Sequence, residues 1–456
     1  MPESSGLTPL LACPRCDRAL EAADGASHRC TACRVEFPAA GGIPWLFAEP
    51  GAALAEWRGR LHFAIRKLEH EHAQLANAAR DGARSALTRG RLERLAAATE
   101  DHATRLRALL APLELDALES SYETYLALRT RLPADQGLTT YYPNIHRDWA
   151  WGDEENALSY AIVEEALSGA PPGKTLVLGA GAGRLAYDVH ERAGPQLTVA
   201  LDFNPMLLFI AARVTSGAAL DLWEFPLAPL DLEHQALLRT LRAPAPARAG
   251  LHYALADAHR PPFAKGAFDT VVTPWLVDIL PEAFELFCRR VSMLLAENGR
   301  WINFGSLSFH TPDPVQRYSR EECAEIIAGS GFAAPRLIDH TTPYMCSPAS
   351  RHGRRERVLS WSAVKEREVK APPRHEALPD WLVRGKEPVP LLGSFRMQAA
   401  ATRIHAFIMS LIDGRRSVAD IAQLLAGRNL MTRAEAEPAI RSFLTKMYEE
   451  STRSRY

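Results

Sequence analysis

Lys174-Thr175-Leu176-Val177-Leu178-Gly179-Ala180-Gly181-Ala182-Gly183-Arg184 decides how this chain is read. Its first five residues form a short apolar run, the pattern of a buried strand. The three glycines that follow let the backbone turn sharply and let a ligand come close to it. A helix is expected from about Leu185. Taken alone, the loop could equally serve a dinucleotide or be a tight strand-to-helix turn with no ligand at all.

The residues downstream narrow the choice. About twenty residues on, Thr198-Val199-Ala200-Leu201 ends at Asp202, whose carboxylate can accept two hydrogen bonds from a ribose. Asp257 sits just past a third strand, where an acidic side chain could meet an adenine amino group. The spacing G-x-G-x-G, in place of G-x-G-x-x-G, favours S-adenosylmethionine over a nicotinamide dinucleotide. Strand candidates at Thr175–Leu178, Leu197–Leu201, Leu251–Ala254, Phe268–Thr273 and Arg300–Phe304 alternate with helical runs. That alternation predicts an α/β fold with a doubly wound, Rossmann-like sheet, as in class I methyltransferases, over about residues 136–365. Leu294 to Arg300 reads as a helix end and turn before the fifth strand. The Pro- and Leu-rich stretch Asp221 to Arg248 reads as an insertion.

Composition bounds the rest. The chain has 456 residues, nearly half of them apolar, which suggests several units with ample core. A formal net charge of -1 argues against a protein that coats nucleic acid. No run approaches the roughly 18 apolar residues needed to span a bilayer, and Met1 to Leu11 lacks the sections of a secretory signal. A soluble, cytoplasmic protein is expected.

Four of the seven cysteines cluster as Cys13-x2-Cys16 and Cys30-x2-Cys33, with thirteen residues between the pairs. Each CxxC turn aims two thiolates at one point, and two turns complete the tetrahedral ligation of Zn²⁺. Four sulfur ligands leave no open position, so the metal is expected to be structural. The competing reading is an unmetallated or redox cluster. Leu11-Ala12-Cys13-Pro14-Arg15-Cys16, Phe37-Pro38 and Gly42-Ile43-Pro44-Trp45-Leu46 together resemble the Trm112-like zinc ribbons over residues 1–48. That resemblance implies a docking or stabilising role.

Residues 49–135 carry apolar positions at helical spacing, among them Leu54, Trp57, Leu61, Ile65, Leu92 and Leu95, and are expected to be amphipathic helices. After a charged linker at 366–390, residues 391–456 read as two or three helices. Asp413-Gly414 ends one of them and Ser417 caps the next, with Val418, Ile421, Leu424 and Leu425 on a shared face. This pattern resembles PqqD-like domains, which implies a peptide or protein partner; a plain packing or dimerisation appendage fits the same stripes.

The central region resembles the N2227-like family, whose known eukaryotic members are carnosine N-methyltransferases. The match rests on Asn144-Ile145-His146-Arg147-Asp148-Trp149, on Gly179 to Ala186, on Asp278, and on Trp301-Ile302-Asn303-Phe304-Gly305-Ser306-Leu307-Ser308-Phe309-His310. Asn144 stands where the family has glutamine. The resemblance implies that Asn144, Arg147, Gly179, Gly181, Gly183, Arg184, Asp202 and Asp257 hold S-adenosylmethionine. It implies that Asp278 and His310 face a small-molecule or peptide substrate bearing an imidazole.

Plainer roles compete for several of these positions. Asp278 could cap a helix before Leu280-Pro281, His310 could cap a loop, and Arg147 could pair on the surface. Tyr141 and Tyr142 could line the cofactor mouth or simply pack. Where the family carries a tyrosine-rich strand, this chain has the basic stretch Arg351-His352-Gly353-Arg354-Arg355-Glu356-Arg357. Those arginines suit an anionic substrate group or a solvated face, and they make carnosine itself doubtful.

Overall fold

A computed structural model of the chain describes residues 6–115, 138–280, 282–309, 313–374, 386–428 and 430–453. They fall into two compact units, Met1–Glu376 and Ala377–Tyr456.

The first unit opens with five short strands, β1 (Glu21–Ala22), β2 (His28–Cys30), β3 (Val35–Phe37), β4 (Ala39–Ala40) and β5 (Ile43–Pro44). β1–β2–β3 form an antiparallel sheet, and β4–β5 pair separately. Two long helices follow, Pro50–Ala79 and Ala86–Leu110; Ser85 caps the second by accepting from the Thr88 amide. Trp57, Leu61, Ile65 and Leu92 are buried, as the apolar spacing predicts.

The centre is a seven-stranded sheet. Its members are β6 (Lys174–Leu178), β7 (Leu197–Asp202), β10 (Leu251–Leu255), β11 (Phe268–Pro274), β12 (Leu295–Gly305), β13 (Arg336–Tyr344) and β14 (Arg354–Val364). Between β7 and β10 lies a hairpin of β8 (Leu220–Glu224) and β9 (Leu237–Leu241), which is the insertion expected from sequence. The sheet order is β10-β7-β6-β11-β12-β14-β13. The first five strands run parallel, and β14 is antiparallel to both its neighbours.

Alternation along the strands splits the core, because successive side chains point to opposite faces. Val177, Ala200, Val272 and Ile302 pack with Tyr160, Val163 and Val189 from the helices Asp153–Leu167 and Arg184–Arg192. Leu176, Leu178, Val199, Leu201 and Trp301 pack on the other face with Phe284, Phe287 and Val291 of the helix Phe284–Leu294. The expected doubly wound α/β sheet is therefore present. The order reverses between β6 and β11, and in such sheets ligands bind at that switch point, beyond the carboxyl ends of the strands.

The N-terminal strands join this core. Leu10, Leu11, Phe37 and Leu46 belong to the same apolar cluster as Leu178 and Leu201. Leu46 N–H donates to Leu255 O at 2.7 Å and Ala264 N–H to Leu10 O at 2.9 Å, so the cysteine-bearing segment covers the open edge of β10.

In the second unit, three helices, Gly393–Ser410, Val418–Gly427 and Arg433–Arg453, bury Ile408, Ile421, Leu425 and Ile440. Ser417 and Asp420 form the capping box that starts the middle one. No helix among the described residues is long and apolar enough to cross a membrane.

Candidate functional site

Gly179, Gly181 and Gly183 all take left-handed backbone angles, with φ of +70°, +58° and +85°. Their tasks differ. A methyl group on Gly183 would lie 2.7 Å from Ala211 Cβ, so this glycine lets two helices approach. A methyl on Gly181 would meet no atom within 4 Å, so the space beside it is open to a ligand.

Asp202, at the end of β7, is buried against this loop. Its Oδ2 accepts from Gly181 N–H at 2.8 Å and its Oδ1 from Asn204 N–H at 2.9 Å. Phe203 N–H is a third backbone donor to this carboxylate, whose two oxygens together offer about four acceptor sites. Burial raises its pKa to about 6, partly offset by those backbone donors. Asn204 and Pro205 then start the next helix as N-cap and first-turn proline. Asp257 follows β10 and is half exposed; its Oδ1 lies 2.7 Å from His259 Nδ1.

The Asn144–Trp149 segment docks directly on the glycine loop. Residues Arg147–Trp151 form a π-helical turn, a wide turn frequent at functional sites. Trp149 Nε1–H donates to Ala182 O at 2.8 Å, and Arg184 donates to Asp148 O at 2.8 Å. Arg184 also pairs with Asp188 at 2.9 Å and lies 5.5 Å from the Trp149 ring centre. Its contacts tie the turn to the helix below the loop.

Arg147 is held by two carboxylates, Asp148 at 2.7 Å and Glu155 at 3.3 Å. Both carboxylates are buried and Arg147 is partly buried, so the surface pairing weighed from sequence is not what the structure displays. Asn144 is half buried, and its side chain makes no hydrogen bond among the described residues. The tyrosine pair splits: Tyr142 is buried and donates to Trp223 O at 2.6 Å, whereas the phenol of Tyr141 is raised by burial and by the nearby Asp202 and Tyr344.

Across the switch point, Asp278 follows β11 and is 4% exposed. Its Oδ2 accepts from Ser306 Oγ at 2.6 Å and from Ser308 N–H at 2.9 Å, both just past β12. Its Oδ1 makes no hydrogen bond among the described residues. The helix that follows starts from Ala283, so Asp278 is not its N-cap. His310 lies outside the described residues. Three non-glycine residues around this corner have positive φ, Trp275 at 51°, Phe309 at 38° and Met345 at 54°. Such strain persists only where surrounding contacts impose it.

The basic stretch divides as well. Arg354 lies 4.5 Å from the Tyr344 ring centre and pairs with Glu356, and Tyr344 packs against Trp275 at 5.0 Å. Arg351 donates to Leu230 O at 2.7 Å. Arg355 and Arg357 are exposed with no ion pair among the described residues.

Glu155, Trp275 and Ser306 were not legible as site residues from sequence. Glu155 carries the one available signal, a charge within an apolar helix face.

In the N-terminal segment, the Sγ atoms of Cys13, Cys16, Cys30 and Cys33 all lie within 4.8 Å of one another. The shortest separations are Cys16–Cys30 at 3.4 Å and Cys13–Cys33 at 3.5 Å. Tetrahedral Zn²⁺ with bonds of about 2.3 Å needs sulfurs roughly 3.8 Å apart, so the donor set fits that ion.

No protein-family model matches the chain, and no curated protein does. Several solved structures are similar to it. Phosphoethanolamine N-methyltransferase 2 of Haemonchus contortus, in complex with S-adenosyl-L-methionine, is 15% identical. That match covers 54% of this chain and 60% of that one, with a TM-score of 0.33. N-methyltransferase NodS of Bradyrhizobium japonicum, in complex with S-adenosyl-L-homocysteine, is 13% identical over 50% of this chain and 99% of that one, with a TM-score of 0.33.

Proposed function

We propose that this chain is an S-adenosylmethionine-dependent N-methyltransferase whose acceptor is an imidazole-bearing small molecule or peptide. Two features support the cofactor: the open space beside Gly181, and a buried carboxylate, Asp202, bonded to that same glycine. Gly179 to Gly183 would cradle it, Asp202 would accept from its ribose, and Asp257 would meet its adenine. Arg147 and Asn144 would stand near its amino-acid end. The cofactor, when bound, supplies a sulfonium methyl already activated toward a nucleophile.

The observation that carries the acceptor reading is Asp278. One of its oxygens is fixed by Ser306 and Ser308, and the other makes no hydrogen bond among the described residues. A carboxylate so placed accepts the N–H of an imidazole, which fixes the tautomer and leaves the second ring nitrogen bare. It would also stabilise positive charge as it develops on the ring, from a carboxylate that is itself buried. His310 would position the ring or help remove a proton. The resemblance of these motifs to the N2227-like family implies this assignment of roles, and the arginines of β14 favour an acceptor with an anionic group.

The four cysteines are read as a structural Zn²⁺ site. The C-terminal unit exposes Met397, Met409 and Leu424, which suits a peptide or protein partner.

The test is to incubate the chain with methyl-labelled S-adenosylmethionine and with histidine, carnosine or cell extract. Label on an imidazole nitrogen supports the proposal. Label only at other peptide atoms replaces the acceptor, and the absence of any label contradicts the activity.

A further inference from the structure

The β8–β9 hairpin reads from sequence as a bare insertion, yet it carries a buried carboxylate that points into the main unit. Glu224 is 5% exposed at the end of β8. Its Oε1 accepts from Trp151 Nε1–H at 3.1 Å and from Ser347 Oγ, and its Oε2 accepts from Arg239 Nε–H at 2.8 Å. Trp151 closes the π-helical turn that holds Arg147. Ser347 lies three residues past Tyr344, in the loop between β13 and β14. A single carboxylate therefore fastens the turn on the cofactor side to the loop on the acceptor side.

The hairpin tip repeats the attachment through backbone. Arg351 N–H donates to Ala228 O at 2.7 Å and Leu230 N–H to Ala349 O at 3.1 Å. Glu155 makes a parallel link inside the unit, accepting from Met345 N–H at 3.0 Å while it pairs with Arg147. Among the described residues, the loop at 344–351 is thus held at this end by Glu155, by the Trp275 ring against Tyr344, and by the Glu224 and hairpin-tip contacts. Hydrogen bonds to a buried, ionised carboxylate are the stronger kind, and removing one partner strands the others.

We infer that Glu224 is a positioning residue and the β8–β9 hairpin a fixed wall of the acceptor site, clasping the 344–351 loop to the Arg147–Trp151 turn. The clasp rests on the proposed function for its purpose, but not for its existence. Together with the Glu155 link, it fixes the 344–351 loop relative to Arg147.

Amide hydrogen exchange on the full chain, without ligand, reads the clasp directly. Glu224→Ala should speed exchange about tenfold in both 147–151 and 344–351, while 174–183 keeps its wild-type rate. Glu224→Gln, which still presents an oxygen to Trp151 and Ser347, should restore most of the protection. Should the alanine variant fail to fold, Ser347→Ala answers the same question for the loop alone. Unchanged exchange at 344–351, or a rise spread evenly over the sheet, overturns the inference. A parallel titration with S-adenosylhomocysteine keeps the two ideas apart: absence of binding by the wild type counts against the cofactor reading and leaves the exchange result standing.

Discussion

Trp149 Nε1–H donates to Ala182 O at 2.8 Å, and both atoms are buried. One residue comes from a helical segment that precedes the sheet, the other from the middle of the glycine loop, thirty-three positions later. The bond makes the two sequence motifs one structure. Trp149→Phe keeps most of the packing but leaves the Ala182 carbonyl without its donor, a loss of about 1–3 kcal/mol. Chemical denaturation should show that loss, and affinity for S-adenosylhomocysteine should fall with it.

In the role proposed for it, Asp202 should make cofactor binding sensitive to acid. Its folded-state pKa is raised to about 6 by burial, so the carboxylate begins to take up a proton well above the range of an exposed aspartate. The ionised form is the better acceptor for ribose hydroxyls. Affinity should be flat above pH 7 and fall by up to about tenfold per pH unit below 6, as for one linked proton. Calorimetry across pH 5 to 8 measures this, and a flat profile would reject the role given to Asp202.

Stability should decline in the same direction for a different reason. Burial lowers the pKa of His146 to about 3 and that of His102 to about 4, from an ordinary 6.5. His146 Nε2, 3.1 Å from Trp223 O, is the protonated nitrogen of a neutral ring. Folded-state values below the unfolded one mean that the unfolded chain binds the extra protons. The stabilisation is thus complete above pH 6.5 and is lost as pH falls toward 4 and 3. Thermal melts should show that decline, and His146→Gln should make it shallower.

Asp278→Asn tests the acceptor side alone. The amide oxygen can still accept from Ser308, so the fold and the cofactor pocket should survive. Turnover should fall by two orders of magnitude or more, the usual scale for a lost acid–base or charge-stabilising group. Wild-type turnover with normal cofactor affinity would remove Asp278 from the reaction.

Metal removal should reach beyond the ribbon. Leu46 of the ribbon bonds to Leu255, two residues before Asp257, and Leu11 and Phe37 share the main apolar core. Chelation should therefore lower the melting temperature of the first unit by at least about 5 °C and weaken cofactor binding. A ribbon that melts alone, with the sheet unaffected, would contradict this coupling.

The parts of the fold legible in sequence are those specified locally. Lys174–Leu178 with its glycines, and the strand that ends in Asp202, need only neighbouring residues to be recognised. β13 escaped because Arg336–Tyr344 mixes charges, a histidine and a proline with few apolar positions, as edge strands do, and β14 because Arg354–Val364 opens on four charged residues before its apolar half. Of the helix end and turn expected at Leu294–Arg300, the helix does end at Leu294, but β12 runs on from Leu295 with a ladder irregularity and a left-handed Asn298 in place of a free turn. At the site, the glycine loop and Asp202 could be assigned from their spacing. The partners of Asp278 could not, since Ser306 is twenty-eight residues away and is brought to it by parallel pairing of β11 with β12. Glu224 had no local signature either, because its partners Trp151 and Ser347 lie more than seventy residues away on both sides.

The most direct measurement is a calorimetric titration of the purified, folded chain with S-adenosylhomocysteine. Saturable binding at one site per chain, weakened at least tenfold by Asp202→Ala, is the predicted result. A folded wild-type chain that releases or absorbs no heat with either S-adenosylhomocysteine or S-adenosylmethionine would contradict the account at its root.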